Sequence, residues 1–556
     1  MSLTNAEIAA ILDQHGDLME IAGENRFRVR AYRRAASAIR AHERPVADEP
    51  DLTAIDGVGE GIAAVIREIL ETGQFSEFEE LQEALPGSLL TMLDIPGLGA
   101  KRVQRFYQEL NITSVAELEE AAREGRLRAL KGIGPKAEQQ ILEGIAFLRT
   151  RTDRYSIGLG LPLAERLRAG IAQLSGARVE LAGSVRRMCE TVGDINLLVV
   201  ADNPEAVFGA VQQYPEVAGV ISIDGNVGVF NLHPGPKLKL FVAPTSRAGS
   251  AWIRATGSEA HLSALGGYEA LPDAETEEAC YAALGMEWIP PELREDRGEL
   301  DAAREGRLPR LIELADIKGD LHLHTTWSDG SGTILEMAEA AAALSYRYLA
   351  ICDHSGGLGI ANGLDAARLA EQRAEIERLR PDAPLHLLAG SEVEVHRDGR
   401  LDFEDDVLAQ LDLVVASLHS GIRQDQETIT ARICRTLENP HVDIVAHPTG
   451  RLIERRQGAS YDWDRVYETA RRTATALEIN ADPARLDMRE EHARGAFEAG
   501  CLIAIDSDAH HPESFANMRY GVAIARRAWV EPQQVINTWP LDDLLAWLTD
   551  RRLPQG

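Results

Sequence analysis

Six short apolar runs between residues 319 and 511 each end in a residue able to bind a metal, and no other feature of the chain restricts the fold so tightly. Asp320-Leu-His322-Leu-His324 opens the series. Ile351-Cys-Asp353-His354-Ser, Gly390-Ser-Glu392-Val-Glu394, Val415-Ala-Ser-Leu-His419-Ser, Ile444-Val-Ala-His447-Pro and Ile505-Asp-Ser-Asp508-Ala-His510 follow. Alternate side chains of a strand share a face, so His322 and His324 point the same way, and Thr325-Thr-Trp-Ser-Asp329-Gly is a loop that returns a carboxylate. A barrel of parallel strands gathers the C-terminal ends of its strands on one face, which is what such a repetition requires. A single histidine in such a run is more often a hydrogen-bonded core residue. Eleven of the fifteen histidines fall between His322 and His511, where even spreading would place roughly five, so the cluster points to metal.

Several divalent ions held by imidazoles and a bridging carboxylate lower the pKa of a bound water and neutralise a phosphate, which predicts phosphoester hydrolysis. Mixed nitrogen and oxygen ligation without thiolate suits manganese or zinc. Asp320, Asp353, Asp402, Glu478 and Asn480 are candidates to orient the imidazoles.

The N-terminal part reads differently. Helical apolar spacing at Ile8, Ile11, Leu12, Leu18 and Ile21 is followed by Arg26, Arg28, Arg30, Arg33, Arg34 and Arg40 with no intervening acid. Against a net charge of -30 this is a local basic patch, with Arg30, Arg33 and Arg34 as candidate phosphate contacts. Three glycine turns follow about forty residues apart, each opening a helical pattern: Ile55-Asp-Gly57-Val-Gly59, Ile95-Pro-Gly97-Leu-Gly99 and Leu130-Lys-Gly132-Ile-Gly134. Each offers backbone N–H groups and a helix start to an anion, and Lys101, Arg102 and Lys136 add charge. They resemble helix-hairpin-helix motifs, which implies a sequence-independent grip on DNA.

From residue 150 strands alternate with helices as far as Pro290-Pro291, and residues 300 to 317 read as a charged helical connector. Gly183-Ser184-Val-Arg186-Arg187, then Glu190-Thr-Val-Gly-Asp194-Ile-Asn196, resemble the nucleotidyltransferase signature of X-family DNA polymerases. That resemblance implies nucleotide binding by Gly183, Ser184, Arg186, Arg187, Thr256, Gly257 and Ser258, and magnesium or manganese beside Asp194. The family carries two further aspartates where this chain has Asn196 and Lys239, so three formal negative charges become zero. Asp224 or Glu190 would have to compensate. Arg254 and Ala255 replace the family's aromatic pair, and Val65 its lyase lysine.

The histidine-rich series resembles the polymerase-and-histidinol-phosphatase (PHP) domain, a distorted α/β barrel. The resemblance implies a three-metal site with nine ligands: His322, His324, Asp329, His354, Glu392, His419, His447, Asp508 and His510, of which His322, His324 and Glu392 would be catalytic. The implied architecture is multidomain α+β: a helical lyase-like region (1–85), fingers with hairpin motifs (86–150), palm (151–245), thumb (246–300), linker (301–318) and PHP barrel (319–556).

The resulting expectation is a bacterial repair protein that binds gapped, nicked or 3′-ended duplex DNA and trims 3′ ends with its PHP site, polymerising weakly or not at all. An active gap-filling polymerase using deoxynucleoside triphosphates, a non-catalytic DNA-binding scaffold and a small-molecule phosphatase are the alternatives. Five scattered cysteines suit reduced thiols, and no run of about eighteen apolar residues occurs, so a cytoplasmic monomer without membrane contact is expected.

Overall fold

In the computed structural model of the chain, the described residues are all except 1–4, 41, 43, 56, 73–74, 79–80, 82–84, 86–87, 94, 96, 131, 151–153, 233–234, 358–360, 454–455 and 552–556. Hairpin positions Asp56, Pro96 and Lys131 lie outside the described residues.

The first unit, Met1–Thr152, is helical. Asn5–Ala22 and Arg26–Arg40 bury Ile8, Leu12, Leu18, Tyr32 and Ile39 with Ile62, Ile66 and Phe75 in one apolar cluster. Leu89, Val103, Phe106, Leu118 and Ile141 form a second cluster. Helix ends follow local chemistry: Ser114 Oγ accepts from the Glu117 N–H at the start of Val115–Arg123, and Asn111, at φ +53°, stops Ala100–Leu110.

The second unit, Asp153–Gly556, holds two sheets and a two-stranded pair. Strands β1 (Tyr155–Ser156) and β3 (Thr191–Val192) make the pair. Strands β2 (Arg178–Ala182), β4 (Asp194–Val200), β5 (Val217–Asp224), β6 (Val227–Leu232) and β7 (Lys237–Ala243) form a sheet in the order β2-β4-β7-β6-β5. Only β4 and β7 are parallel in it, and their register sets Asn196 opposite Lys239.

Next to this sheet, Glu277 accepts two hydrogen bonds from Arg294 (2.7 and 2.8 Å), two from Arg186 (2.6 and 2.8 Å) and one from Trp288 Nε1 (3.0 Å). Arg294 has no exposed surface. Burial pushes the Glu277 carboxyl up, but the two guanidinium groups outweigh it and hold the group at about 2.

The expected helical connector is mostly not a helix. Only Glu299–Arg304 coils, because Gly306 takes φ +63° and Pro309 cannot continue a helix; a single 3-10 turn, Leu314–Asp316, follows.

Strands β8 (Gly319–Leu323), β9 (Tyr348–Ile351), β10 (His386–Glu394), β11 (Leu413–Ser417), β12 (Ile444–Val445), β13 (Ala476–Asn480) and β14 (Ile503–Asp506) form a wholly parallel seven-stranded sheet in sequence order. Its two ends approach each other: His324 N–H donates to Ala509 O (2.9 Å) and Asp508 N–H to His322 O (3.0 Å). Nearly every strand residue is buried, as both faces of such a sheet demand. One face, with Leu321, Ala350, Val415, Ile444 and Ala504, packs on Leu544 and Leu548 of the last helix.

Barrel and palm are welded by buried charge. Arg527 donates to Arg187 O (2.8 Å), pairs with Glu295 (2.9 Å) and also with Glu490, while Arg187 itself pairs with Glu295 (2.9 Å). Arg451, beside the barrel mouth, pairs with Glu190 (2.7 Å). All five cysteines are free.

Candidate metal centre

Because each strand ends where its apolar run ends, the ligand-type residues emerge together at the C-terminal mouth of the barrel. Glu392 sits in the middle, with Oε2 2.6 Å from His354 Nδ1 and 3.6 Å from the Nε2 atoms of His322 and His324. Its Oε1 lies 3.0 Å from His447 Nε2 and 3.5 Å from His419 Nε2. Asp508 Oδ1 is 3.1 Å from His324 Nε2, and Asp329 Oδ1 is 3.4 Å from His510 Nε2 and 3.6 Å from His354 Nε2.

Three groups place their ligand atoms within 4.8 Å of one another: His324, Asp329, His354 and His510; His322, His324 and Asp508; His354, Glu392 and His419. The structure thus brings all nine predicted positions to one place, with His447 joined through Glu392.

The donor set fits divalent ions. Among the described residues His322 Nε2, His324 Nδ1 and His447 Nδ1 are buried without a hydrogen-bond partner, an arrangement that costs free energy unless something ligates those atoms. His447 and Asp508 also adopt positive φ, +27° and +52°, strained backbone of the kind found where a site dictates the geometry.

The supporting residues divide. Glu478 binds His322 Nδ1 (2.7 Å) and takes the His447 backbone N–H (2.6 Å), and Asn480 donates to Asp508 Oδ2 (3.0 Å), so both orient ligands. Asp353 instead holds the Thr325–Ser328 loop, accepting from Thr325 N and Oγ1 and from Ser328 N. Asp402 accepts from Gly357 N and faces His396, and Asp320 accepts from backbone N–H groups of His322 and Ser507. Glu394, which the sequence reading passed over, holds His419 Nδ1 at 2.8 Å. Its place two residues beyond Glu392 on one strand was the available signal. Arg485 was also missed: its Nε lies 3.7 Å from Asp508 Oδ2, and its buried Nη1 has no hydrogen-bond partner among the described residues.

The imidazoles differ in basicity. Burial holds His324 and His447 down at about 3. Burial also opposes charge on His510, but the Asp329 hydrogen bond and the Asp508 charge raise it to about 9; carboxylates likewise outweigh burial to raise His322 and His354. Ligand imidazoles must be neutral, so metal uptake competes with protons at these nitrogens, most clearly at His510. Manganese binding is therefore expected to release protons and to tighten as pH rises from about 6 to 8. Titration in a lightly buffered solution with a pH electrode reads this directly, and uptake without proton release would contradict it.

In the palm, Gly183 sits at φ +63° and a Cβ there would meet Asn196 Nδ2 at 2.4 Å, so the turn requires glycine. A cavity of about 760 Å³ is lined by Gly183, Ser184, Arg187, Asp194, Lys239 and Gly257, among others. Arg186, Thr256 and Ser258 are engaged elsewhere: Arg186 binds Glu277 and Thr256 Oγ1 and stacks on Trp252, and Ser258 Oγ caps the helix Glu259–Ala264. Glu190 is bound by Arg451 and Asp224 ends β5 at the hairpin, and neither is among the residues that line the cavity.

In the helical unit, the arginine row is partly neutralised from other elements: Arg33 pairs with Asp17 and Glu20, Arg28 with Glu77 and Arg40 with Asp13. Arg34 packs beside Gly57. Arg26, Arg30 and Arg33 line a hollow of about 520 Å³ with Lys101, which joins the arginine helix to the second hairpin. Arg102 donates to Gly97 O, and Lys136 lies in the first turn of Pro135–Thr150, after the third hairpin. Gly57, Gly97 and Gly132 take φ of +90°, +80° and +89°, and among the described residues nothing lies within 4 Å of a Cβ built on Gly59, Gly97, Gly99, Gly132 or Gly134.

Family models match as a helix-hairpin-helix domain over residues 3–75, a SAM-like helix-hairpin-helix tandem over 48–111 and 89–146, and a PHP domain over 320–481. The DNA polymerase/3′-5′ exonuclease PolX of Bacillus subtilis (strain 168) is 37% identical over 98% of this chain and 99% of its own length. The chain belongs to the bacterial X-family DNA polymerases that carry a PHP domain. A probable phosphatase of Syntrophotalea carbinolica is 26% identical over 39% of this chain and 90% of its own, and one from Thermoanaerobacter sp. (strain X514) is 28% identical over 39% and 89%. Among the described residues no helix is long and apolar enough to cross a membrane.

Proposed function

We propose that this X-family member grips DNA through its hairpins and hydrolyses the 3′-terminal phosphodiester at the barrel mouth, with little or no polymerisation. The observation that carries the reading is the convergence of nine side chains of metal-ligand type, three of whose buried imidazole nitrogens have no hydrogen-bond partner among the described residues. Manganese or zinc, when bound, supplies an activated water and neutralises phosphate charge. The protein's share is positional. Glu478 and Glu394 hold His322 and His419 at Nδ1, which leaves Nε2 for ligation, and Glu392 brings one carboxylate to five imidazoles. Arg485 offers a fixed cation beside Asp508 for a phosphate oxygen.

The palm cannot hold a metal pair in the same way. Asn196 and Lys239 face each other across β4 and β7 beside Asp194, and two divalent cations find one carboxylate and one ammonium there. The likeness to a probable phosphatase covers 39% of the chain, and the hairpin motifs outside the PHP domain favour DNA as the substrate.

The deciding assay uses a gapped duplex labelled at the 5′ end of the primer, with manganese, with and without deoxynucleotides. Shortening that is lost in His322→Ala and kept in Asp194→Ala, with no extension by any version, is expected. Extension that vanishes in Asp194→Ala would overturn the reading of the palm, and absence of shortening would reduce the protein to a scaffold.

The hairpins give a second expectation. Among the described residues nothing lies within 4 Å of a Cβ built on Gly99, so a side chain there costs little stability but stands where a DNA backbone must approach. Gly99→Val is expected to weaken duplex binding about tenfold while leaving the melting temperature nearly unchanged. Fluorescence anisotropy and thermal unfolding, run together, check both halves.

A further inference from the structure

Three neighbouring strands, β11, β12 and β13, end at the barrel mouth, and the loop after each brings a cation: Arg423 four residues past His419, Arg456 nine past His447, and Arg485 five past Asn480. The three loops touch. Gly450 lies so close to the first loop that a Cβ on it would meet Ile422 Cδ1 at 2.6 Å and Leu418 O at 3.3 Å. Arg456 Nε donates to Gly450 O (2.8 Å), and the backbones of Leu452 and Arg456 exchange hydrogen bonds of 2.9 and 2.8 Å. The Ile453 N–H donates to Ala484 O (2.7 Å), which sets the second loop against the residue before Arg485. The guanidinium groups therefore stand on adjoining segments, Arg485 and Arg456 partly buried and Arg423 exposed.

Their charge is poorly matched by the protein. Among the described residues Arg423 and Arg456 form no ion pair, and Arg485 approaches Asp508 only to 3.7 Å, with a buried Nη1 that has no hydrogen-bond partner there. Asp487, which acts on Arg456, already accepts the backbone N–H groups of Thr449 and Arg451. Burial lowers Arg456, and the charges of Arg485 and Arg423 lower it further. Cations crowded in this way repel one another, and an anion that spans them removes the repulsion. A small phosphate ester brings one phosphate, which the metal centre itself would hold. A polynucleotide brings a phosphate with every nucleotide, in a line.

We propose that Arg456 and Arg423 seat the phosphates that precede the 3′-terminal phosphodiester, so that the barrel selects the end of a strand over a small phosphate ester. The inference rests on the reading of the barrel as a phosphodiesterase, and adds to it the path of the strand and a preference for length.

The test compares two substrates of the full-length protein with manganese: a thymidylate dodecamer, and the nitrophenyl ester of thymidine 5′-phosphate, a diester with one phosphate. Arg423→Gln and Arg456→Gln are measured beside the wild type, with the thermal midpoint of each as the check on folding. Expected is a kcat/KM on the dodecamer about tenfold lower in each variant, the usual size of one charge-assisted contact, with the nitrophenyl ester cleaved at nearly the wild-type rate. Equal losses on both substrates, or no loss on the dodecamer, would overturn the proposal. Binding separates it from the reading beneath it. Anisotropy of a labelled dodecamer is followed without metal, with relaxed circular duplex present to occupy the hairpins. Each variant is expected to bind about tenfold more weakly, with a log–log salt slope shallower by about 0.7. If no version cleaves either substrate, the phosphodiesterase reading fails, and unchanged affinity in both variants would then overturn the strand seat as well.

Discussion

Glu392→Gln is expected to lower the 3′ nuclease rate about a thousandfold, roughly 4 kcal/mol of transition-state stabilisation. The carboxylate is the common neighbour of His322, His324, His354, His419 and His447, and an amide keeps its shape while losing its charge and one acceptor. Burial pushes Glu392 up, yet the surrounding imidazoles hold it well below the ordinary carboxylate range, so it is fully ionised at neutral pH and the substitution removes a whole charge. Manganese stoichiometry should fall alongside the rate. A variant that keeps its full metal complement and cleaves at the wild-type rate would remove Glu392 from the centre.

Arg294→Met is expected to cost about 3–5 kcal/mol of stability at neutral pH, the loss that follows when one partner of a buried ion pair is deleted. Glu277 would keep Arg186 but lose its fully buried partner. The sign with pH follows from the carboxyl. In the wild type Glu277 sits at about 2, below its unfolded value, so its contribution is present above the unfolded value and is lost only as pH falls through about 2. In the variant burial dominates and raises the group, so protonation relieves the strain and the deficit should shrink as pH drops toward 5. Glu277→Gln added to Arg294→Met should recover part of the loss. Urea unfolding at several pH values checks this, and a deficit independent of pH would refute the assignment.

The barrel centre was legible because a parallel strand delivers its last residues to one face, so the position of a histidine in an apolar run fixes its position in space. Glu478 and Asn480 were legible for the same reason. Pairings made across the chain were not. The row of arginines from Arg26 to Arg40 contains no acid, and its neutralising partners Asp13, Asp17, Glu20 and Glu77 come from other segments. Arg186, which the signature assigns to phosphate, is bound to Glu277, ninety-one residues away. No periodicity records such a distance. The opposition of Asn196 and Lys239 needed only the register of two neighbouring strands, and the structure pairs them so.

The welded contact between palm and barrel bears on how such a protein loses a function. Arg527 and Arg451 leave the barrel to meet Arg187 O, Glu295 and Glu190 on the other side. A barrel cut free at Gly319 would carry both cations without these partners. On the proposed reading, carboxylates of the palm can be lost one by one, whereas deleting the palm would take Arg187, Glu190 and Glu295 away from the barrel's cations, so the palm keeps a structural share whatever its chemistry.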